Sequence, residues 1–152
     1  MSSKTDSRKE SPKVVSCSDE FLRSQTVYVA SKMHHAPRWR GLRERGLNII
    51  SSWIDVDETS NYDAKPDEVR ERWAADCLDE ATEADAFILY ANGDVLMGAL
   101  LEAGAALAAG VPVYCIGPLP HASKTMTSHP LWHDVSSLQE ALVSCAGERS
   151  NT

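Results

Sequence analysis

Short apolar segments alternate along the chain with segments of helical character. The predicted strands are residues 26–30, 47–54, 84–90 and 111–116. The predicted helices are residues 37–45, 66–83, 95–109 and 136–142. Because the strands are apolar throughout rather than at every second position, they are typical of a parallel sheet covered on both faces. The pattern therefore predicts an α/β fold with a flavodoxin-like or Rossmann-like doubly wound parallel sheet in a single domain.

The two ends of the chain differ from its apolar centre. Residues 1–25 are polar and rich in Ser and charge, so we expect a disordered or loosely attached N-terminal arm. The α/β domain is predicted to span residues 26–145, and residues 146–152 are expected to form a flexible C-terminal tail. The polar loop 55–65 is long enough to serve as a lid over a bound ligand.

Composition and charge indicate which kinds of binding partner to expect. The chain has 152 residues, of which 43% are hydrophobic and 24% charged, a size that suits one core and one site. The net charge of −7 and the pI near 5.2 oppose binding to a nucleic acid polymer, so a small-molecule partner is expected. No signal peptide or bilayer-spanning apolar run is evident, which predicts a cytoplasmic protein without a membrane partner.

The sequence carries no recognisable cofactor motif. The four cysteines are widely spaced without a Cys-x-x-Cys pair, and the adjacent His34 and His35 have no further ligand at metal-binding spacing. Neither G-x-G-x-x-G after the first strand nor a P-loop motif is present, which argues against dinucleotide-dependent redox enzymes and P-loop enzymes. We therefore predict neither a metal nor another cofactor.

Glu102 is the one formally charged residue between Val95 and Gly117. A carboxylate in such an apolar helix is costly unless it faces solvent, a hydrogen-bonding partner or a ligand cavity. Since Glu102 lies about one turn into the predicted helix, the helix dipole should favour its ionised form, which suits a nucleophile or a charge stabiliser. A solvated glutamate on an exposed helix face fits the spacing equally well.

The segment around Glu102 has the form G-x-x-x-E-x-G-x-A-x-A. Its small residues are Gly98, Gly104, Ala106 and Ala108. This segment resembles the nucleoside 2-deoxyribosyltransferase family, in which such a turn and helix carry a nucleophilic glutamate. The opening Tyr28-Val29-Ala30-Ser31 is similar to the family's first strand, whose tyrosine lies near that glutamate. More loosely, the likeness extends over residues 26–142.

Some positions depart from the family's pattern. Asp94 lies two residues further from the glutamate than the corresponding aspartate of typical transferases. Ser31 stands where a glycine often follows the first strand. The helix before the third strand usually supplies an aspartate, and Asp76 or Asp79 could fill that role here without matching its spacing cleanly.

The resemblance implies nucleophilic catalysis at the anomeric carbon of a nucleoside or nucleotide. The Glu102 carboxylate would displace the base and form a glycosyl ester, which then passes to another base or to water. The leaving base needs a proton, for which Asp94, Asp76 and Asp79 are the candidates. Tyr28 is expected to act beside Glu102.

Ligands of open parallel sheets bind beyond the carboxyl ends of the strands. The candidate substrate-binding residues there are Ser31, Lys32, Arg38, Asp55 and Gly98. Asp55 could accept hydrogen bonds from ribose hydroxyls or be a simple loop aspartate. Lys32 and Arg38 could neutralise a 5′-phosphate or belong to a solvated basic helix face. Trp53, beside Asp55, could stack on a base, although core packing is the commoner role of tryptophan.

Two classes of function fit these observations. The first is an enzyme of N-glycosidic bonds, either a deoxyribosyltransferase or a nucleoside or nucleotide N-glycoside hydrolase. The second is a non-catalytic nucleotide-binding or sensor module on the same fold, because a fold does not fix a function. In either case the small residues of the Glu102 helix and the family resemblance predict a homo-oligomer.

Overall fold

The computed structural model describes residues 24–56 and 61–150. Within them, four parallel strands form one sheet in the order β1-β2-β3-β4. The strands are β1 (Val27–Ala30), β2 (Ala86–Tyr90), β3 (Val113–Ile116) and β4 (Trp132–Val135). The helices are α1 (Ala36–Glu44), α2 (Asp67–Glu83), α3 (Met97–Ala108) and α4 (Leu138–Ser150). Short 3₁₀ helices occupy Met33–His35, Ser52–Asp55, Tyr62–Ala64 and Met126–Ser128.

Helices cover both faces of this sheet. Tyr28 of β1 pairs with Phe87 of β2, and their rings lie 5.2 Å apart on the face that packs against α2 and α3. Tyr90, three residues after Phe87, points to the opposite face because side chains alternate along a strand. There its ring meets Trp39 of α1, with 5.8 Å between the ring centroids. The doubly wound parallel α/β architecture predicted from the sequence is therefore confirmed.

The entry to β1 is tied to the entry to β2 by a pair of reciprocal hydrogen bonds. The Thr26 backbone N–H donates to Asp85 Oδ2 at 2.9 Å, and the Asp85 N–H donates to Thr26 Oγ1 at 3.0 Å. These bonds satisfy polar groups that the buried strand ends would otherwise leave without partners. They also fix the register in which Tyr28 stands beside Phe87.

The strand predicted over residues 47–54 was wrong. Here the chain makes one isolated parallel bridge, between Ile49 and Val27, and then turns into the 3₁₀ helix Ser52–Asp55. Beyond this bridge, side chains make the hydrogen bonds to β1 that the backbone of a neighbouring strand would otherwise make. Ser51 Oγ accepts from the Val29 N–H at 2.7 Å, and Trp53 Nε1 donates to the Val29 carbonyl at 2.7 Å. The edge of β1 is therefore satisfied without a second strand.

Other element boundaries also differ from those predicted. The strand β4 went unpredicted because its sequence, Trp132-His133-Asp134-Val135, mixes polar and apolar residues in the manner of a half-exposed edge strand. Helix α4 continues to Ser150, beyond the predicted domain end at residue 145. The predicted arm lies almost wholly outside the described residues, as do residues 57–60 of the predicted lid. No described helix has both the length and the apolar character needed to cross a bilayer.

The loops after β2 and β3 hold each other at the carboxyl edge of the sheet. The Asn92 N–H donates to the Ile116 carbonyl at 2.9 Å, and the Gly93 N–H donates to the Pro118 carbonyl at 2.7 Å. Gly117 sits at the closest approach, with a φ of +79°. A Cβ atom there would lie 2.7 Å from the Asn92 Cα. This contact fixes the turn that leads into α3.

We predict that Gly117→Ala lowers the free energy of unfolding by about 1 to 3 kcal/mol, because alanine is strained at this φ and its methyl group meets backbone. Urea denaturation followed by circular dichroism measures the change. Gly104→Ala is the matched control, since Gly104 is helical with no atom within 4 Å of an added Cβ. The control should be neutral or stabilising by up to about 1 kcal/mol. Equal stability of both variants would show that the loop contact is not tight.

Candidate active site

Glu102 lies in the second turn of α3, a helix that packs against α2, β2 and β3. Ala103 and Ala106 of the same helix are buried, while Glu102 is half-buried. The small side chains on α3 allow the close approach that places the carboxyl group beside Tyr28 and Cys77. Glu102 is therefore not a freely solvated residue on an outer helix face.

The Tyr28 side chain is completely buried beneath this carboxyl group. Its hydroxyl lies next to Glu102 and the Cys77 thiol, yet it completes no hydrogen bond of regular geometry among the described residues. Burial, and secondly the charge of Glu102, raise the pKa of the Tyr28 hydroxyl far above its ordinary value. The group is consequently a neutral hydrogen-bond donor at every physiological pH, positioned against a carboxylate.

Burial raises the pKa of Glu102 to about 7, and the nearby Glu80 carboxylate adds to the increase. The neighbouring Tyr28 hydroxyl and Cys77 thiol favour the ionised carboxylate and lower its pKa, but they do not compensate for burial. Since Glu102 lies beyond the first turn of α3, where a helix dipole is weaker, the preference of the dipole for the ionised form stays a prediction beside the larger effect of desolvation. Near pH 7 the carboxyl group is ionised in about half of the molecules.

Glu102 lines two cavities. The smaller, of about 140 Å³, has Ser31, Met33 and Trp53 on its walls. The larger, of about 390 Å³, reaches Arg70 and Leu101. Both are also lined by Trp73, Cys77, Gly98 and Glu102. The carboxyl group thus faces a space that can admit a small molecule, with mainly apolar walls and few polar groups.

Three of the predicted site residues join Glu102. Ser31 and Gly98 line the cavities, and Tyr28 lies directly beneath the carboxyl group. The Ser31 hydroxyl accepts from Trp39 Nε1 at 2.9 Å and donates to the Lys32 carbonyl at 2.9 Å. Since Gly98 has no atom within 4 Å of an ideal Cβ position, it leaves open space at the start of α3.

The other predicted residues do not line either cavity. They are Lys32, Arg38, Asp55, Asp76, Asp79 and Asp94. Both carboxylate oxygens of Asp55 accept from Arg43, at 2.7 and 2.9 Å. The guanidinium of Arg38 lies over the Tyr90 ring, 4.8 Å from its centroid.

The three candidate acids stand around the site rather than in it. Asp76 and Asp79 are exposed on α2, although the Asp76 carboxylate is close enough to help raise the pKa of Cys77, which burial dominates. Asp94 is half-buried in the turn after β2, near His35. Burial, His34 and Arg38 lower the pKa of His35, and the Asp94 carboxylate opposes them. None of the three aspartates lines either cavity.

The sequence analysis did not predict most of the residues that α2 contributes to the candidate site. Arg70, Trp73, Cys77 and Glu80 follow one another at spacings of three, four and three residues, which places them on one face of a helix. Arg70 also forms an ion pair with Asp67. That helical spacing was the available signal, but it became meaningful only once α2 was known to pack on α3. Among the described residues no group of three or more His, Cys, Asp or Glu side chains is arranged to hold a metal ion.

Comparison with known proteins finds similarity to solved structures but not to protein-family models or curated sequences. No protein-family model matches the chain, and no curated protein sequence matches it. Among solved structures, the chain is similar to a CMP N-glycosidase from Clostridium botulinum, with 16% sequence identity and a TM-score of 0.48. That match covers 84% of this chain and 100% of the other. The functional assignment therefore rests on the site itself.

The raised pKa of Glu102 predicts a specific dependence of stability on pH. The folded protein binds this proton more tightly than the unfolded chain, whose glutamate titrates near 4.5, so stability should fall as pH rises through about 7. Glu102→Gln removes that loss. Since one pKa unit corresponds to about 1.4 kcal/mol, the variant should gain roughly 2 to 3 kcal/mol relative to wild type between pH 5 and pH 8.

Urea unfolding at both pH values measures this gain, and Glu83→Gln, at an exposed position on α2, serves as the control. The control should keep the same difference from wild type at pH 5 and pH 8. If the free energy of unfolding of Glu102→Gln also differed from wild type by the same amount at pH 5 and pH 8, the Glu102 carboxyl group would not have a raised pKa in the folded protein.

Proposed function

We propose that this protein is an enzyme that cleaves N-glycosidic bonds of nucleosides or nucleotides, with Glu102 as the nucleophile. The observation that carries the proposal is a half-buried carboxyl group facing a cavity beside the buried hydroxyl of Tyr28. Support also comes from the sequence, since Glu102 occupies the glutamate position of the G-x-x-x-E-x-G-x-A-x-A segment.

In the proposed reaction, the ionised Glu102 attacks the anomeric carbon of the sugar as the bond to the base breaks. The base leaves with the bonding electron pair and takes up a proton, while the sugar is retained as an ester of Glu102. Water or a second base then displaces the carboxylate and regenerates the free enzyme. Attack by water gives hydrolysis, and attack by a base gives transfer.

Tyr28 suits the role of an orienting donor in this sequence. A neutral hydroxyl beside the carboxyl group could donate to one of its oxygens during the reaction, which would leave the other oxygen free to attack and favour one rotamer. Because the hydroxyl is fully buried, its interaction with charge on the carboxylate is weakly screened by water. The donor of the base's proton stays a prediction among Asp76, Asp79 and Asp94.

The oligomeric state also stays a prediction. Met97 and Leu101 on α3 are 65% and 75% exposed, which is consistent with a surface covered by a second copy of the chain. Leu101 also lines the larger cavity beside Glu102, so such a contact would partly close the proposed site.

The direct test is incubation with a panel of nucleosides and nucleoside monophosphates, followed by chromatography for free base. Glu102→Gln should lower kcat by at least about a thousandfold, because the amide is not a nucleophile. Wild-type activity should rise with pH through about 7 and then level off, since only the ionised carboxyl group reacts.

Glu83→Gln again provides the control and should retain wild-type turnover. Specific binding of a nucleotide without release of base would instead favour the non-catalytic sensor module. Release of base by Glu102→Gln at the wild-type rate would contradict the assignment of the nucleophile.

We further expect acceptance of 5′-phosphorylated substrates. Lys32 lies between Ser31 and Met33, which both line the smaller cavity, and Arg38 follows in the first turn of α1. Replacing Lys32 and Arg38 together with Ala should raise KM for the monophosphate several-fold and leave KM for the nucleoside nearly unchanged, because only the former carries the charge.

Steady-state kinetics on the two substrates measures this difference. Arg70→Ala is an informative comparison, because Arg70 lines the larger cavity but is already paired with Asp67. Equal losses on nucleoside and monophosphate would assign Lys32 and Arg38 to the fold or to the shared sugar site.

A further inference from the structure

The 3₁₀ helix Ser52–Asp55 carries one wall of the smaller cavity. Trp53 is 5% exposed and shares the lining of that cavity with Glu102. Its indole Nε1 donates to the Val29 carbonyl at 2.7 Å, which fixes the orientation of the ring. A flat apolar surface held at one angle beside the reacting group is suited to stacking with a planar base.

Two arginines of α1 hold this turn from outside the cavity. Arg40 Nη1 donates to the Ile54 carbonyl at 2.5 Å. One turn further along the same helix face, Arg43 makes a two-bond contact with Asp55 through both carboxylate oxygens. Such paired contacts are directional, so they constrain the position of the turn more than a single ionic contact would.

The other side of the turn is bound by α2. The Ser52 backbone N–H donates to Glu80 Oε1 at 3.0 Å. Glu80 is also the carboxylate whose charge acts on Glu102. The turn therefore lies between the arginines of α1 and a residue coupled to the proposed nucleophile. The segment before it is joined to β1 by a single bridge, between Ile49 and Val27.

We propose that Trp53 is a substrate-contacting residue that stacks on the base, and that Arg40 and Arg43 are positioning residues that hold it in place. The inference rests on the proposed function for the class of ligand, but not on turnover. It assigns Asp55 to the support of the turn, where its oxygens are already occupied, rather than to contact with ribose. An exposed ion pair contributes little to global stability, so its effect should be seen in ligand binding instead.

The test is binding of a C-nucleoside, whose base is joined to the sugar through carbon and cannot be released by cleavage of an N-glycosidic bond. Calorimetric titration of the full chain should show Trp53→Ala weakening the affinity by about five- to one-hundredfold, the worth of one stacked base. Arg40→Ala and Arg43→Ala should each weaken it by about three- to tenfold, with thermal unfolding almost unchanged.

Arg45→Ala is the matched control, because it removes the same charge from the exposed end of the same helix. Exchange of the pair, in Arg43→Asp with Asp55→Arg, should recover part of the affinity lost in Arg43→Ala. Acrylamide quenching of tryptophan fluorescence should show a more accessible Trp53 when Arg40 or Arg43 is replaced. The signal of Trp53 is obtained as the difference between each variant and the same variant carrying Trp53→Phe. If either alanine variant does not fold, Arg40→Lys and Arg43→Lys keep the charge and lose the geometry.

Wild-type affinity in both arginine variants would overturn the positioning role, and wild-type affinity in Trp53→Ala would overturn the stacking role. A wild-type protein that does not bind the C-nucleoside would also overturn the inference. Binding that depends on Trp53 and the arginines, in a protein that releases no base from any nucleoside, would support the inference while refuting the proposed enzymatic function.

Discussion

The Tyr28 side chain is completely enclosed between the sheet and helices α2 and α3, and its hydroxyl group has to be accommodated there. Polar groups in such positions usually have at least one hydrogen-bond partner. Here the neighbours are the half-buried carboxyl group of Glu102 and the buried thiol of Cys77, and burial raises the pKa of both. The chain thereby keeps a carboxyl group at a position that is costly for folding, and groups with perturbed pKa values of this kind are concentrated at functional sites of proteins.

A second constraint acts on the other side of β1. In the part of the chain that the structure describes, a single residue pair bridges this edge, and Ser51 and Trp53 supply further hydrogen bonds that a neighbouring strand would normally provide. Because the chain turns here instead of continuing as a strand, the indole ring of Trp53 lies in the cavity wall. In a regular strand, successive side chains would alternate between the two faces of the sheet. The irregular segment and the shape of the cavity thus have the same origin.

The sequence predicted the structure well where the burial of apolar residues determines the local conformation. Strands β1, β2 and β3 are apolar throughout, and the lone charge of Glu102 in an apolar helix pointed to the cavity. It was less informative where a side chain replaces a backbone contact. Nothing local in residues 47–54 reveals that Ser51 will bind Val29, or that Arg43 will reach Asp55 twelve residues later. The raised pKa of Glu102 likewise depends on burial by the packing of α2 and α3, and the same packing brings the Glu80 carboxylate near.

The central claim is that Glu102 forms a covalent bond to the sugar. A nucleoside with fluorine at C2 of the sugar slows formation and breakdown of a glycosyl ester, because fluorine destabilises the oxocarbenium-like transition states of both steps. Mass spectrometry of the digested protein after reaction should find the peptide containing Glu102 heavier by the mass of the fluorinated sugar residue. Release of base from ordinary nucleosides without any such adduct, or with the adduct on another side chain, would contradict the account.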